Sequence, residues 1–308
     1  MKVVFLTFYT LVNDEIPEHV YWALENSLSS LRKFNSTIRV VCYCLGPPPE
    51  RTSQILRRYD VEAIYLEDCL SQFRTHCPDG WQLLAKYAVS TKWLGVAALT
   101  KLEPSQALYI DKDTFFFDDV DILFQTYRHA DIYARSEPMR EEGKIVIDNV
   151  FYRGIAEKEQ SNAVALFEVG VMLFNNHSWH TIKSCLSDIY SYIWRFSVWM
   201  ALNPDPQFDS SDIVFLRENK DGLLSIEAAN RALKFPWMNR WIRETFAISL
   251  TLGKLQNFSM GRLESRDVLQ NGEFDIVGSS EANPVMVHYF NSNLEAMRRW
   301  IQRYESHG

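Results

Sequence analysis

Residues 107–114 read Ala-Leu-Tyr-Ile-Asp-Lys-Asp-Thr, and this stretch decides how the rest of the chain is interpreted. Its four apolar residues come shortly after Pro104 and predict a buried strand at Ala107–Ile110. Two aspartates follow that strand directly. Because alternate side chains of an extended chain point the same way, we expect Asp111 and Asp113 to share one face at the end of the strand.

Strand and helix patterns alternate on the amino-terminal side of this stretch. Apolar runs predict strands at Val3–Thr7, Ile38–Leu45 and Val61–Leu66, and helical periodicity predicts helices at Pro17–Leu31, Glu50–Tyr59 and Trp81–Leu102. Such alternation predicts an α/β fold in which helices flank a mainly parallel central sheet. Ligands of these sheets bind beyond the carboxyl ends of the strands, which directs attention to Thr7–Tyr9 and to Asp111–Asp113.

The chain is less regular after residue 130. Further strands are predicted at Ala130–Ala134, Gly170–Phe174 and Val285–Phe290, and further helices at Thr181–Leu202 and Leu294–Tyr304. This change of pattern predicts an approximate boundary between two halves of the chain near residue 130.

The paired aspartates point to a divalent cation. Two neighbouring carboxylates repel each other, and burying them without a counter-charge costs several kcal/mol, roughly. Oxygen ligands of this kind suit Mg²⁺ or Mn²⁺. An EF-hand loop in this register is excluded, because its sixth position would be Phe116 instead of Gly and its twelfth Ile122 instead of Glu. A solvated acidic turn is the remaining alternative.

Composition narrows the class of protein. The chain has 308 residues, 47% of them hydrophobic, and a formal net charge of −7, which argues against a dedicated nucleic-acid binder. Five scattered cysteines indicate free buried thiols in a reducing compartment. The two most apolar later stretches contain charged residues, so neither offers the ~20 uncharged residues of a spanning helix. We therefore expect a soluble, cytoplasmic protein without a transmembrane segment.

Three segments resemble one enzyme family. Residues 108–124, Leu-Tyr-Ile-Asp-Lys-Asp-Thr and their acidic, apolar continuation, resemble the metal-binding signature of GT-A glycosyltransferases. Phe167–Asn175 resembles the family strand that lines the donor sugar. Val285–Phe290 resembles the late strand whose histidine completes the metal site, particularly in the glycogenin-like and lipooligosaccharide galactosyltransferase branch, family 8.

The resemblance implies a GT-A, Rossmann-like fold and assigns roles to individual residues. The implied metal ligands are Asp111, Asp113 and His288, and the implied donor-binding residues are Thr7, Phe8, Tyr9, Lys86, Asp111 and Lys112. Phe8 or Tyr9 would stack on the base. Residues 1–130 become a nucleotide-sugar-binding half. Residues 131–308 become an acceptor-binding half whose C-terminal segment returns to the metal site, so the chain is effectively one domain.

Two departures from the family pattern stand out. Glu168 replaces the family's asparagine, and the Gly-x-x-Lys-Pro-Trp that usually follows the histidine is absent. The diphosphate must then find its contacts elsewhere, and Asn291, Asn293 and Arg298 are candidates.

The resulting hypothesis is a metal-dependent glycosyltransferase. It would use Mn²⁺ or Mg²⁺ to move a hexosyl group from a nucleotide-diphosphate sugar, which we expect to be a UDP-sugar, to a carbohydrate or other hydroxyl acceptor. Candidate catalytic carboxylates are Asp212, Glu168 and Asp209. The choice between retention and inversion of the anomeric configuration stays open, and a homo-oligomer is possible. A non-catalytic nucleotide-sugar-binding protein and a sugar-nucleotide pyrophosphorylase are the alternatives. The pyrophosphorylase is disfavoured because residues 7–15 contain neither Gly nor Lys/Arg.

Overall fold

The computed structural model describes residues 1–9, 16–66, 88–136, 160–161, 167–202, 247–270, 284–289, 298–299 and 301–302. Its helices are α1 (Glu18–Phe34), α2 (Glu50–Arg58), α3 (Ala88–Leu99), α4 (Asp121–Thr126) and α5 (Trp179–Leu202). Its strands are β1 (Lys2–Tyr9), β2 (Arg39–Leu45), β3 (Glu62–Tyr65), β4 (Gln106–Ile110), β5 (Thr114–Phe116), β6 (Ile132–Ser136), β7 (Phe167–Asn175), β8 (Met260–Arg262), β9 (Val268–Gln270) and β10 (Met286–His288).

A seven-stranded sheet in the order β3-β2-β1-β4-β7-β6-β8 forms the centre of the fold. β1 pairs in parallel with β2 and β4, and β2 pairs in parallel with β3. β7 runs antiparallel to both of its neighbours, β4 and β6, so the other six strands share one direction. The predicted α/β class with a mainly parallel, helix-flanked sheet is confirmed. Strands from both sides of residue 130 share this sheet, and the division into two halves stays a prediction.

The alternating side chains of β1 explain why both faces of the sheet are covered. Val4, Leu6 and Phe8 point into a core shared with α1, α2 and α4. Phe5 points to the other face and contacts the rings of Tyr43, Tyr109 and Phe174. A strand that is apolar on both faces is typical of a buried parallel sheet, so this run of residues forms a central strand.

A second, three-stranded sheet lies beside the carboxyl end of β4. β10 is its middle strand and pairs antiparallel with β5 and parallel with β9. Phe115, Leu269, Val287, Tyr289 and Ile301 form its buried cluster. Because β5 begins three residues after Asp111, this small sheet brings a late segment of the chain next to the paired aspartates.

Several elements differ from the sequence-based expectations. β5, β8, β9 and α4 were not predicted, and neither was the helical segment at residues 247–253. The segment after β4 is a turn, with the Thr114 amide donating to the Asp111 carbonyl over 3.1 Å, and the expectation of an extended chain there was wrong. Cys42, Cys44 and Cys185 are free and buried, as expected. Among the described residues, no helix is both long and apolar enough to cross a membrane.

Candidate metal centre

Asp111 and Asp113 lie in the turn beyond the carboxyl end of β4. The apolar residues of β4 are buried, and the polar side chains begin where the strand ends, beside the last residues of its parallel neighbour β1. The Asp111 amide donates to the Gly170 carbonyl over 2.8 Å, which fixes the start of the turn against β7. The Asp113 side chain is 5% exposed, whereas that of Asp111 is 23% exposed.

β10 carries His288 to the two aspartates. His288 pairs with Thr114 in the β10–β5 register, and the Tyr289 amide donates to the Asp113 carbonyl over 2.8 Å. The His288 side chain is 2% exposed. Its Nε2 lies 3.6 Å from Asp111 Oδ2 and 3.5 Å from Asp113 Oδ1. The structure therefore brings together the three residues that the sequence assigned as metal ligands.

Gly170 in β7 makes room for the imidazole ring. A Cβ atom at this position would lie 2.0 Å from His288 Cε1 and 2.6 Å from each ring nitrogen. Atoms at such distances overlap, so any other residue would displace the ring. The glycine is required for close approach rather than for backbone freedom.

Lys92 of α3 also binds Asp111. Its Nζ lies 2.9 Å from Asp111 Oδ2 and 3.4 Å from the Val169 carbonyl, and 5.6 Å from the centre of the Tyr109 ring. The Tyr109 hydroxyl donates to the other carboxylate oxygen, Oδ1, over 2.5 Å. Each oxygen of Asp111 thus has a hydrogen-bonding or ionic partner.

These contacts set the ionisation of Asp111. Burial raises the pKa of its carboxyl, but Lys92, His288 and the Tyr109 hydroxyl together outweigh burial. The pKa therefore lies well below its usual range, and Asp111 is a carboxylate at neutral pH. A carboxylate in a mostly buried position is the form that a cation needs.

The three side chains fit a divalent cation. One ligand atom from each lies within 4.8 Å of the others. An octahedral ion with bonds of about 2.1 Å separates adjacent ligand atoms by about 3 Å, so small movements would bring the set into range. Asp113 Oδ1 is buried and accepts no hydrogen bond from the described part of the chain, which an ion would remedy. Two carboxylates and one imidazole suit Mn²⁺ and Mg²⁺, and the donor set does not select between these ions.

The remaining predicted site residues differ in their burial, and some of them lie outside the described residues. Phe8 is 3% exposed and packs in the core, so its ring has no open face for a base. Thr7 is half-buried and points toward Gly95 of α3. Lys112 is half-buried in the turn between the aspartates. The Tyr9 side chain, Lys86, Asp209 and Asp212 lie outside the described residues.

Among the other residues predicted to contact the substrate, Asn291 and Asn293 lie outside the described residues, whereas Glu168 and Arg298 are described in part. The backbone of Glu168 lies in β7, two residues before Gly170, and pairs with Arg135 where the β6–β7 register shifts. The Glu168 side chain is not among the described parts of the structure. The Arg298 guanidinium lies over the Trp22 ring, with 5.1 Å between its Cζ and the ring centre.

Lys92 is the site residue that the sequence analysis missed. The lysine predicted from the segment before β4 was Lys86. A usable signal was present, because Lys92 is the only charged residue in the α3 sequence Ala-Val-Ser-Thr-Lys-Trp-Leu-Gly-Val-Ala-Ala-Leu. A charge in an otherwise apolar buried helix needs a partner, and the end of the adjacent sheet supplies one.

Comparisons with known proteins do not assign a family. No protein-family model matches the chain, and no curated protein matches it. Among solved structures, mouse xyloside xylosyltransferase 1 in its apo form is similar at 15% identity and a TM-score of 0.48, over 95% of this chain and 99% of that one. The galactosyltransferase LgtC, in complex with donor and acceptor sugar analogs, is similar at 15% identity and a TM-score of 0.46, over 94% of this chain and 87% of that one. The glycosyltransferase GlyE of Streptococcus pneumoniae is similar at 17% identity and a TM-score of 0.44, over 94% of this chain and 55% of that one. At these scores the function has to be argued from the site itself.

Proposed function

We propose that this chain is a metal-dependent glycosyltransferase of the GT-A type, which moves a hexosyl group from a nucleotide-diphosphate sugar to a hydroxyl acceptor. One observation carries the proposal. Asp111, Asp113 and His288 converge at the carboxyl end of a strand in a mainly parallel sheet. This edge of such sheets is where phosphorylated ligands bind, and a cation held there can neutralise a diphosphate.

The sequence motifs support the same reading. The three converging residues come from the segments that resemble the GT-A metal-binding signature and its late histidine strand. The segment that resembles the donor-sugar strand forms β7, whose Gly170 contacts the His288 ring. Segments that lie far apart in sequence therefore meet in one place, as the resemblance implies.

The chemistry follows from the charge that develops on the leaving group. Transfer breaks the bond between the anomeric carbon and a phosphate oxygen, so negative charge accumulates on the departing diphosphate. When bound, a divalent cation supplies Lewis acidity at this position. Asp111, Asp113 and His288 would hold that ion, and the Lys92 ammonium adds positive charge at the same edge of the sheet.

The proposed reaction also needs a catalytic group that acts on the acceptor hydroxyl or on the donor sugar. Glu168, Asp209 and Asp212 are its candidates, and Glu168 has its backbone in the strand that borders the metal centre. An inverting enzyme needs one of them as a base for the acceptor hydroxyl. A retaining enzyme needs a polar group on the opposite face of the sugar. The anomeric configuration of the product, determined by NMR, decides between the two.

The direct test is release of UDP from defined donors. The metal-stripped full chain is incubated with UDP-glucose, UDP-galactose and their N-acetylated counterparts, with and without Mn²⁺ or Mg²⁺. We expect UDP release that needs the cation and falls by at least ~100-fold in Asp111→Asn, because the leaving group loses its electrostatic support. Glu103→Gln, which alters an exposed carboxylate in the turn before β4, should leave the rate unchanged.

Other outcomes of this test discriminate the alternatives. Metal-dependent UDP binding without turnover of any donor indicates a non-catalytic nucleotide-sugar-binding protein. Pyrophosphate-dependent formation of UTP indicates a pyrophosphorylase. Equal nucleotide affinity and turnover in the wild type and Asp111→Asn would contradict the metal centre itself. UDP as the nucleotide, the cytoplasmic location and the oligomeric state remain predictions.

A further inference from the structure

Lys92 binds the oxygen of Asp111 that a cation would use. Asp111 Oδ2 lies 2.9 Å from Lys92 Nζ and 3.6 Å from His288 Nε2, so it is the oxygen on the side of the third ligand. The other oxygen, Oδ1, accepts a hydrogen bond from the Tyr109 hydroxyl. A cation that binds Asp111 from the side of His288 must therefore compete with the ammonium group.

The ammonium group is held firmly at this position. The Lys92 side chain is 12% exposed, its Nζ contacts the Val169 carbonyl, and the Tyr109 ring lies beneath it. Lys92 lies on α3, which packs against β1, so the base of the side chain is fixed by the core. The lysine is consequently a built part of the site and not a flexible surface charge.

The charge of the site makes the competition consequential. Asp111 and Asp113 contribute two negative charges, and Lys92 cancels one of them. Because an imidazole must be neutral to bind a metal, a divalent cation meets a site with one net negative charge and the fixed positive charge of Lys92 beside one of its ligands. At the low effective dielectric of a largely buried site, such a like charge strongly opposes cation binding.

We propose that Lys92 makes the binding of the divalent cation and the binding of the diphosphate depend on each other. The cation alone binds weakly, because Lys92 opposes it at Asp111. A diphosphate relieves the opposition, since its negative oxygens pair with the ammonium group and with the cation together. By linkage, each ligand raises the affinity for the other by the same factor. This inference rests on the proposed function for the diphosphate, but the effect of Lys92 on the cation alone does not.

The experiment measures Mn²⁺ affinity of the full chain, by calorimetry and by Mn²⁺ electron paramagnetic resonance, with and without saturating UDP. The variants are Lys92→Met, Lys92→Gln and Lys92→Arg, with Lys101→Met as the matched control. Lys101 is exposed in the turn after α3 and lies outside the site. Circular dichroism and thermal unfolding establish that each variant is folded, and two neutral replacements guard against the failure of one.

We expect both neutral variants to bind Mn²⁺ alone about tenfold more tightly than the wild type, and the enhancement by UDP to shrink by a similar factor. Lys92→Arg keeps the charge and should keep the weak binding and the strong enhancement. Lys101→Met should behave as the wild type. A purely structural role of Lys92 would loosen Mn²⁺ binding in the neutral variants and would not tighten it.

The result that overturns the inference is Mn²⁺ binding in the folded neutral variants that is equal to or weaker than in the wild type. Failure of the proposed function has a different signature. In that case no donor is turned over and UDP does not enhance Mn²⁺ binding in any variant, while the tighter binding of Mn²⁺ alone in Lys92→Met persists. Loss of all Mn²⁺ binding in Asp111→Asn confirms that the measured site is the one described.

Discussion

Two lysine–aspartate pairs of equal length lie at opposite ends of the central sheet. At the amino end, Lys2 Nζ lies 2.9 Å from Asp121 Oδ1, and the two side chains are 35% and 45% exposed. At the carboxyl end, Lys92 Nζ lies 2.9 Å from Asp111 Oδ2, and the exposures are 12% and 23%. The pairs have the same chemistry and the same distance, and they differ in burial and in their neighbours.

The difference shows what distinguishes a site from an ordinary surface contact. Solvent screens the Lys2–Asp121 pair, and such a pair contributes about 0–1 kcal/mol. The Lys92–Asp111 pair is largely shielded from solvent and shares its carboxylate with His288 and Tyr109. Several ionisable groups crowded into one buried place are unfavourable for folding alone and typical of a functional site.

Among the tests of this difference, the largest expected effect concerns Gly170, which packs against the His288 ring. In Gly170→Ala the new methyl group overlaps the imidazole, so the ring must move away from the aspartates. We expect the affinity for Mn²⁺ to fall by ~10–100-fold, in the range seen when a ligand loses its orienting contacts. The unfolding free energy should fall by about 1–3 kcal/mol through overpacking. Calorimetry and urea unfolding measure the two quantities.

Gly261→Ala provides the matched control on the edge strand β8. A Cβ at this position would lie 2.2 Å from Cε1 of the Tyr133 ring, so the overlap is similar but lies away from the aspartates. We expect a comparable loss of stability and an unchanged affinity for Mn²⁺. Unchanged Mn²⁺ affinity in Gly170→Ala as well would show that the position of His288 does not matter for the ion.

A medium effect should appear in the coupling energies of the two lysine–aspartate pairs. Double-mutant cycles combine Lys92→Met with Asp111→Asn, and Lys2→Met with Asp121→Asn, in metal-free buffer. We expect a coupling of about 2–3 kcal/mol for the buried pair and below about 1 kcal/mol for the exposed pair. Urea unfolding of the four single and two double variants measures both. Equal coupling energies would remove burial as the distinction between the two ends.

The smallest expected effect concerns the folding stability at alkaline pH, to which one tyrosine from each end of the sheet contributes. Burial raises the pKa of Tyr127, and its hydrogen bond to Asp267 raises it further, while burial raises the pKa of Tyr289. The unfolded chain releases these protons above a pH of about 10, whereas the folded chain retains them. Their contribution to stability is therefore complete below that pH and declines as the pH rises above it.

Replacement of either tyrosine by Phe should flatten this alkaline decline. Tyr127→Phe should also cost about 1 kcal/mol near neutral pH, because the hydroxyl donates to Asp267 and accepts from the Glu264 amide. Unfolding free energies across the alkaline range, together with phenolate absorbance, provide the measurement. Ionisation of Tyr289 before the chain unfolds would contradict its described burial.

The long central strands could be predicted from sequence because they are apolar on both faces. β1 and β4 extend one or two residues beyond a predicted limit, and β2 is one residue shorter than predicted. β5, β8 and β9 have three residues each, which is too short for a strand pattern to appear. They exist because neighbouring segments offer them hydrogen-bonding partners, and this information is not local in the sequence.

The three candidate metal ligands could be predicted from the sequence, but the geometry of the turn that carries two of them could not. Asp111 and Asp113 followed from their position after β4, and His288 came from the family resemblance. The turn that joins the aspartates was missed, although it still presents both carboxylates to His288. Lys92 was missed although it is the one charged residue in the α3 sequence, because the rotation of α3 that turns this side chain toward Asp111 depends on packing in three dimensions.

The pairing of β5 with β10 also has a consequence for how the protein is made. On a ribosome that adds roughly 5–20 residues per second, His288 emerges on the order of ten to thirty seconds after Asp113. Lys92 emerges before either aspartate. The nascent chain can therefore neutralise Asp111 internally while it waits for its histidine, and a cation has its full ligand set only once β10 has joined β5.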